Sequence, residues 1–264
     1  MIHYSFMSKR LHLFEFEDQE WFPKDIRNYM TDYLQIVSNT FKFYEAVIPV
    51  LQKGVEKSGT KNIIDLASGG GGGWLSIADK IVHTIPGVKI TLTDFFPNIK
   101  AFETTQEQYP HLFSYQTQSV DATQVPESLK GLRTQFLSFH HFKPEMAKKI
   151  LQNAVDSKQP IAIFEAISRD TDGWIKAAGV PLTVYALTPI IKPFSWKRLL
   201  MTYSLPIVPF FITFDGFVSV LRMYSKEELK ALILTVRNND VFEWEIGEKQ
   251  SGIMRIQYLL AYPK

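Results

Sequence analysis

Residues 63–73 read Ile-Ile-Asp-Leu-Ala-Ser-Gly-Gly-Gly-Gly-Gly, and this stretch determines the predicted fold. A short apolar run ends in the carboxylate of Asp65, and five glycines separate it from a helix predicted to begin near Trp74. Glycines can adopt positive φ and let the main chain approach a ligand, and the N-terminus of the following helix attracts negative groups. The stretch is therefore typical of a strand-loop-helix unit that binds a nucleoside or a phosphate.

The residues of this loop discriminate between nucleoside ligands. A dinucleotide-binding loop reads G-x-G-x-x-G; Gly69 and Gly71 fit its first two glycines, but Trp74 occupies the third position. A carboxylate at Asp65 would repel a pyrophosphate, whereas it would attract the ammonium and sulfonium groups of S-adenosylmethionine. Charge thus favours the methyl donor, and a nicotinamide-dependent oxidoreductase is the less favoured alternative.

A second acidic residue follows the next predicted strand. The run Val88–Thr93 is apolar and β-branched, and Asp94 comes directly after it. A carboxylate there can accept hydrogen bonds from two neighbouring ribose hydroxyls. Alternatively, Asp94 opens a turn or caps the helix that is entered through Pro97 and Asn98.

In these motifs the chain resembles the class I S-adenosylmethionine-dependent methyltransferases over about residues 60–170. Their first motif, D-x-G-x-G-x-G, is matched by Asp65, Ala67, Gly69 and Gly71, with alanine at the first glycine position. The resemblance implies S-adenosylmethionine as the cofactor, and it implies that Asp121, in Ser119-Val120-Asp121-Ala122, contacts the adenine amino group. The cofactor-binding residues it implies are Asp65, Ala67, Ser68, Gly69, Gly70, Gly71, Asp94, Phe95, Asp121 and Ala122.

The order of the predicted elements gives the fold class. Strands and helices alternate from Asn62 to Ala166, which predicts a doubly wound α/β fold with a mostly parallel seven-stranded sheet and an antiparallel last strand. The predicted units are an N-terminal helical cap over 1–59, a core over 60–167 and 222–264, and an inserted apolar lid over 168–221. Within them we predict a helix over 41–57 kinked at Pro49, a third strand over 113–120 and a fourth over 135–139.

Composition excludes several classes of protein. The 29 basic and 27 acidic residues nearly cancel, so no nucleic-acid partner is expected, and the absence of cysteine excludes disulfides and thiolate chemistry. Met1–Arg10 lacks the apolar core of a signal peptide, which favours a cytoplasmic location. The apolar run Leu199–Phe214 is short for a membrane-spanning helix and contains two prolines, so we predict no transmembrane segment but keep peripheral membrane contact open.

Two adjacent histidines are the catalytic candidates. His140 and His141 follow the fourth predicted strand, at the edge of the sheet where open α/β proteins bind ligands. Since imidazole titrates near neutrality, one of them could be a general base; alternatively, both bond the backbone of the turn before Pro144. No carboxylate cluster accompanies them after strands four and five, so no metal is expected.

The flanking regions supply candidates for substrate binding. Trp21 lies in the predicted cap, Asp215 lies within the aromatic lid, and Arg222 follows the lid as a partner for Asp215 or an anchor for a substrate carboxylate. Alternatively, Asp215 caps a helix and Arg222 lies at the surface. The lid aromatics could wall an apolar pocket, or they could form a local core against the cap.

The sequence as a whole therefore predicts a methyltransferase that uses S-adenosylmethionine to methylate a small, largely apolar or aromatic molecule. A catalytically idle, methyltransferase-like module that docks to a partner or a membrane is the alternative. The acceptor atom and the oligomeric state stay open.

Overall fold

A seven-stranded sheet forms the centre of the computed structural model, which describes residues 9–264. Residues 1–8, the start of the predicted cap and of the Met1–Arg10 stretch, lie outside the described residues. The strands are β1 (Asn62–Asp65), β2 (Lys89–Leu92), β3 (Phe113–Tyr115), β4 (Leu132–Phe136), β5 (Ile161–Glu165), β6 (Phe242–Ser251) and β7 (Met254–Pro263). Their order is β3-β2-β1-β4-β5-β7-β6, and β7 runs antiparallel to both neighbours while the other strands are mutually parallel. The predicted sheet is confirmed.

Helices cover both faces of this sheet. The helices are α1 (Lys24–Thr40), α2 (Ile48–Ser58), α3 (Ala78–Thr84), α4 (Ile99–Gln108), α5 (Pro144–Asp156), α6 (Thr171–Leu187), α7 (Trp196–Leu199), α8 (Ile207–Arg222) and α9 (Lys226–Leu234). Successive residues of a strand point to opposite faces, so Ile163 packs with α5 and α9, whereas Phe164 packs in the core that contains α2, α3 and α4. Strands buried on both faces explain the continuous apolar runs in the sequence.

Three predicted elements differ from the structure. The helix predicted over 41–57 begins only at Ile48, because Pro49 lacks a backbone N–H and fits the first turn, where none is needed. The third strand ends at Tyr115, and the chain beyond it turns so that the Val120 N–H donates to the Asp94 carbonyl at 2.9 Å. The fourth strand is Leu132–Phe136, three residues earlier than predicted.

The segment 168–221 is helical and apolar. It contains α6, the short α7 with a π-helical extension over Leu200–Ser204, and α8. In the described part of the chain no single helix is long and apolar enough to cross a membrane; the pair Trp196–Ser204 and Ile207–Arg222 meets the length and composition criteria together but is bent by 75°.

Gly131, directly before β4, lies against the start of β1, and its replacement tests whether this close approach is needed for stability. A Cβ on Gly131 would lie 2.2 Å from the carbonyl oxygen of Asn62, and its φ of +143° disfavours other residues. We expect Gly131→Ala to lower the free energy of unfolding by about 2 kcal/mol or more, measured by urea denaturation. The control is Gly59→Ala, which has φ +68° but open space around the new Cβ and should cost about 1 kcal/mol. Equal losses for the two variants would contradict the proposed steric cause.

Candidate active site

A cavity of about 730 Å³ lies at the carboxyl ends of the parallel strands. The chain order reverses between β1 and β4, and ligands of open α/β sheets bind at such a switch point. The cavity is lined by the loop residues 67–70, 72 and 73, by α1 and by the extended segment before α1. The volume is in the range of ordinary small-molecule sites.

Asp65 does not line this cavity, so the prediction that it faces the ligand is wrong. Its side chain is buried and accepts hydrogen bonds from the hydroxyls of Thr134, at 2.6 Å, and Ser68, at 2.7 Å. Burial raises the pKa of Asp65 to about 6, although both hydroxyl donors oppose that shift. The carboxylate shapes the loop from behind, by fixing Ser68, and does not contact the cavity.

The glycine run serves packing as well as the cavity. A Cβ on Gly70 would lie 2.7 Å from the carbonyl oxygen of Thr31 in α1, and a Cβ on Gly73 would lie 2.3 Å from the ring of Tyr44. Gly71, which was predicted to bind the cofactor, does not line the cavity, and a Cβ there would lie 3.0 Å from Gln35. Small residues are therefore needed where α1 and the turn after it approach the loop.

The other predicted cofactor-binding residues lie together on the cavity wall: Ala67, Ser68, Gly69, Gly70, Asp94, Phe95, Asp121 and Ala122. Asp94 accepts the Gly69 N–H and the Phe96 N–H, both at 2.7 Å, so it ties the glycine loop to the end of β2. Burial raises the pKa of Asp94, and the two N–H donors partly offset the shift.

Asp121 and Phe95 present groups to the same cavity. Asp121 Oδ1 accepts from the N–H and the hydroxyl of Thr123, while Oδ2 accepts no hydrogen bond from the residues that the structure describes. The Phe95 ring is 48% exposed. One free acceptor and one open aromatic face suit a planar base with an amino group.

A second cavity of about 250 Å³ adjoins the first and is lined mainly by apolar residues of α1, α6 and α8. Four residues line both cavities: Glu17, Leu34, Leu137 and His141. The two spaces therefore share a wall, and a molecule in one lies beside a molecule in the other.

The structure gives the two histidines different surroundings. His140 is buried and lines only the second cavity, and its Nδ1 and backbone N lie 3.1 Å from the two carboxylate oxygens of Glu165. His141 lines both cavities, and its Nδ1 lies 2.8 Å from Glu15 Oε2 and from Asp18 Oδ1. Burial alone would lower the pKa of His141, but the two carboxylates raise it well above its usual value. His141 is therefore an imidazolium near neutral pH, which makes it a poor base.

Residues 10–20, here called the strap, hold most of the groups that sequence reasoning missed. The strap has no regular secondary structure and places Glu15, Glu17 and Asp18 at the cavities. Arg27 of α1 also lines the larger cavity and stacks on Phe96 at 4.0 Å. The alternating Phe-Glu-Phe-Glu-Asp run over 14–18 was the available signal, because it places acids and aromatics on opposite sides of an extended chain.

Asp215 and Arg222 bind this strap and not each other. Asp215 accepts the N–H groups of Phe16, at 2.9 Å, and Glu17, at 3.0 Å. Arg222 donates to Asp18 Oδ2 at 2.6 Å, and its Nη1 lies 3.1 Å from Glu15 Oε2. The prediction of a pair between Asp215 and Arg222 is therefore wrong, although Asp215 lines the second cavity and Arg222 the first.

Trp21, which was predicted to bind substrate, lies away from the site. It is 68% exposed and lines neither cavity.

One group of side chains in the described chain has ligand atoms close enough to hold a metal ion. It consists of Glu15, His140 and His141, whose ligand atoms all lie within 4.8 Å of one another. Since the Arg222 guanidinium already lies against Glu15, a second cation there would meet repulsion.

Comparisons with solved structures identify the fold. The chain superposes on PigF bound to S-adenosylhomocysteine with a TM-score of 0.50 and 16% identity, over 94% of this chain and 63% of PigF. Human N-acetylserotonin methyltransferase in complex with S-adenosylmethionine gives a TM-score of 0.47 and 15% identity, over 88% of this chain and 55% of that one. Magnesium protoporphyrin IX methyltransferase from Synechocystis PCC 6803 gives 0.46 and 11%, over 84% of each chain.

The fold is thus the Rossmann-like methyltransferase fold, as predicted. The chain spans only about three fifths of PigF and about half of the human enzyme. No protein-family model and no curated protein matches the sequence.

The half-buried acid Glu17 makes the stability of the folded state depend on pH in a way that can be measured. Burial raises the pKa of Glu17 to about 8, and the neighbouring acids Asp215, Glu15 and Asp18 add to the shift, while His141 opposes it. Since the folded pKa exceeds the unfolded value, the stabilising proton is fully bound below about pH 4.5 and is lost as the pH rises through about 8. Glu17→Gln should therefore gain stability relative to the wild type between pH 5.5 and 8.5.

The measurement is urea denaturation of both proteins across that pH range. Glu20→Gln, a change at an exposed strap residue, is the matched control and should keep a constant difference from the wild type. A Glu17→Gln difference that stays constant, or that falls with pH, would show that Glu17 is already ionised in the folded state.

Proposed function

We propose that this protein is an S-adenosylmethionine-dependent methyltransferase that acts on a small, largely apolar or aromatic acceptor. The single observation that carries the proposal is the pair of adjoining cavities. One is lined by the loop after β1 and by acids after β2 and β3, and the other is apolar and contains His140. A donor and an acceptor placed in these spaces would meet at their common wall.

The larger cavity suits the donor. Asp94 keeps lone pairs for ribose hydroxyls while it holds Gly69, and the free oxygen of Asp121 can accept from an adenine amino group beside the Phe95 ring. Because Asp65 is turned away, we assign the amino-acid end of the donor to the strap, where Glu17 and Asp18 line the same cavity. S-adenosylmethionine would supply a methyl group on a positive sulfur, so the protein has mainly to align the acceptor and exclude water.

The smaller cavity suits the acceptor and its base. If Nδ1–H of His140 is donated to Glu165, then Nε2 keeps a lone pair for a proton from a hydroxyl or amine. Glu165 fixes the ring and stabilises the imidazolium that forms. Of the two predicted candidates, we therefore assign the base to His140, and we assign to His141 a fixed positive charge in the shared wall.

Binding of the cofactor product tests the first half of the proposal. We expect calorimetric titration with S-adenosylhomocysteine to show saturable binding, and Asp121→Ala to weaken it about tenfold through one lost hydrogen bond. The matched control is Asp240→Asn at an exposed position, which should bind as the wild type does. Absence of heat at millimolar ligand, or saturable binding of a nicotinamide dinucleotide instead, would contradict the proposal.

Turnover tests the second half and separates an enzyme from a catalytically idle module. A panel of phenols and aromatic amines is screened for release of S-adenosylhomocysteine from S-adenosylmethionine. With any acceptor found, His140→Gln should lower kcat by about 10² or more, with KM within a few-fold and unchanged S-adenosylhomocysteine affinity. Loss of turnover in His141→Gln but not in His140→Gln would reverse the assignment of the base. Donor binding without turnover on any acceptor would favour the idle module.

A further inference from the structure

Segment 168–221 holds more than half of the large apolar side chains that are exposed in the described chain. Of the 23 large apolar side chains exposed in residues 9–264, 12 lie within these 54 residues. Trp196 is the most exposed of them at 77%. Other strongly exposed members are Ile175, Leu182, Ile190, Phe194 and Phe210. Contiguous exposed apolar surface on a folded domain marks a binding face.

Six of the exposed rings of this segment contact one another in three pairs. Tyr185 of α6 lies 5.7 Å from Tyr203 of the π-helical extension, measured between ring centroids, and Trp196 lies 5.2 Å from Phe194. Trp174 of α6 likewise stacks with a ring of α8, at 6.0 Å. The exposed rings of this segment therefore lie in pairs and do not stand singly.

These side chains are not left over from an incomplete core. The inward positions of α6 and α8, such as Val184, Val208 and Ile212, are already buried in the main core. The same two helices also line the smaller cavity. Each helix therefore buries one apolar face and exposes a second, which a domain surrounded by water on that side does not require.

Within this segment, the stretch 173–214 carries charges of a single sign. Residues 173–214 contain no aspartate or glutamate and four basic residues: Lys176, Lys192, Lys197 and Arg198. Two of these are paired, since Arg198 is buried against Asp32 at 2.8 Å and Lys176 contacts Asp172 at 2.5 Å.

The two remaining lysines flank the exposed aromatic pair. Lys192 is exposed and makes no ion pair within the described residues, and Lys197 is 75% exposed with Asp25 only at 4.0 Å. A second copy of this chain, docked by a twofold axis through this aromatic pair, would bring these lysines together with no acid of the stretch 173–214 to neutralise them. Exposed Trp and Phe beside free lysines suit the interface of an anionic bilayer.

We propose that the exposed face of α6, α7 and α8, centred on Phe194 and Trp196, docks on the surface of an anionic lipid bilayer. The rings enter the boundary between headgroups and acyl chains, and Lys192 and Lys197 contact lipid phosphates. This surface is separate from the cavities, so the proposal stands or falls independently of the methyltransferase reaction.

Vesicle co-sedimentation tests the docking face. We expect the wild type to sediment with phosphatidylcholine vesicles that contain about 30% phosphatidylglycerol, and to bind pure phosphatidylcholine more weakly. Phe194→Ser with Trp196→Ser should lower the partition coefficient at least about tenfold, because two rings no longer leave water. Leu234→Ser, at a residue of α9 that is 77% exposed, is the matched control and should bind as the wild type does.

Further variants separate the contribution of the lysines from that of the apolar side chains. Lys192→Glu with Lys197→Glu should abolish the preference for anionic vesicles, and Leu182→Ser with Ile190→Ser replaces the aromatic variant if that protein does not fold. Sedimentation velocity measures self-association, and thermal unfolding checks each variant. The proposal is overturned if the wild type does not bind anionic vesicles, if the face variants and Leu234→Ser lose binding equally, or if the face variants only dissociate a dimer.

Discussion

The buried guanidinium of Arg222 joins three distant parts of the chain, and the shape of the site depends on it. From the end of α8 it contacts Glu15 and Asp18 in the strap, and these two acids in turn hold His141 in the turn after β4. Removing four charged groups from water is costly, and close pairing is what offsets that cost. Since His141 and the strap form the wall between the two cavities, the ion cluster determines where that wall stands.

Much of the fold was predictable because its signals are local. The signals are the glycine loop after β1, the acids Asp94 and Asp121 that follow the next two strands, and the alternation of apolar runs, and all of them depend on neighbouring residues. The direction of Asp65 was not predictable in this way. Its partner Thr134 lies 69 residues away, and only pairing of β1 with β4 brings the two side chains together.

The strap was missed for the same reason. The strap is held in place by Asp215 and Arg222 of α8, which come about 200 residues later in the chain, so its role cannot be inferred from neighbouring residues. Long-range contacts of this kind leave no spacing in the sequence that a motif could capture. The two adjacent histidines show this limit of sequence-based prediction most clearly. The carboxylate partner of His140 comes from β5, whereas the carboxylate partners of His141 come from the strap.

The charge state of the shared wall bears on what could react there. His141 and Arg222 carry two positive charges that Glu15 and Asp18 neutralise, and burial raises the pKa of Glu17 to about 8 and of Asp215 to about 7. Near neutral pH the wall between the cavities is therefore close to neutral in sum. A strongly positive wall would oppose the approach of a sulfonium, and a strongly negative one would bind the donor more tightly than the uncharged thioether it becomes. A neutral wall avoids both costs, which is consistent with the proposed transfer of a methyl group from a cationic donor to an uncharged acceptor.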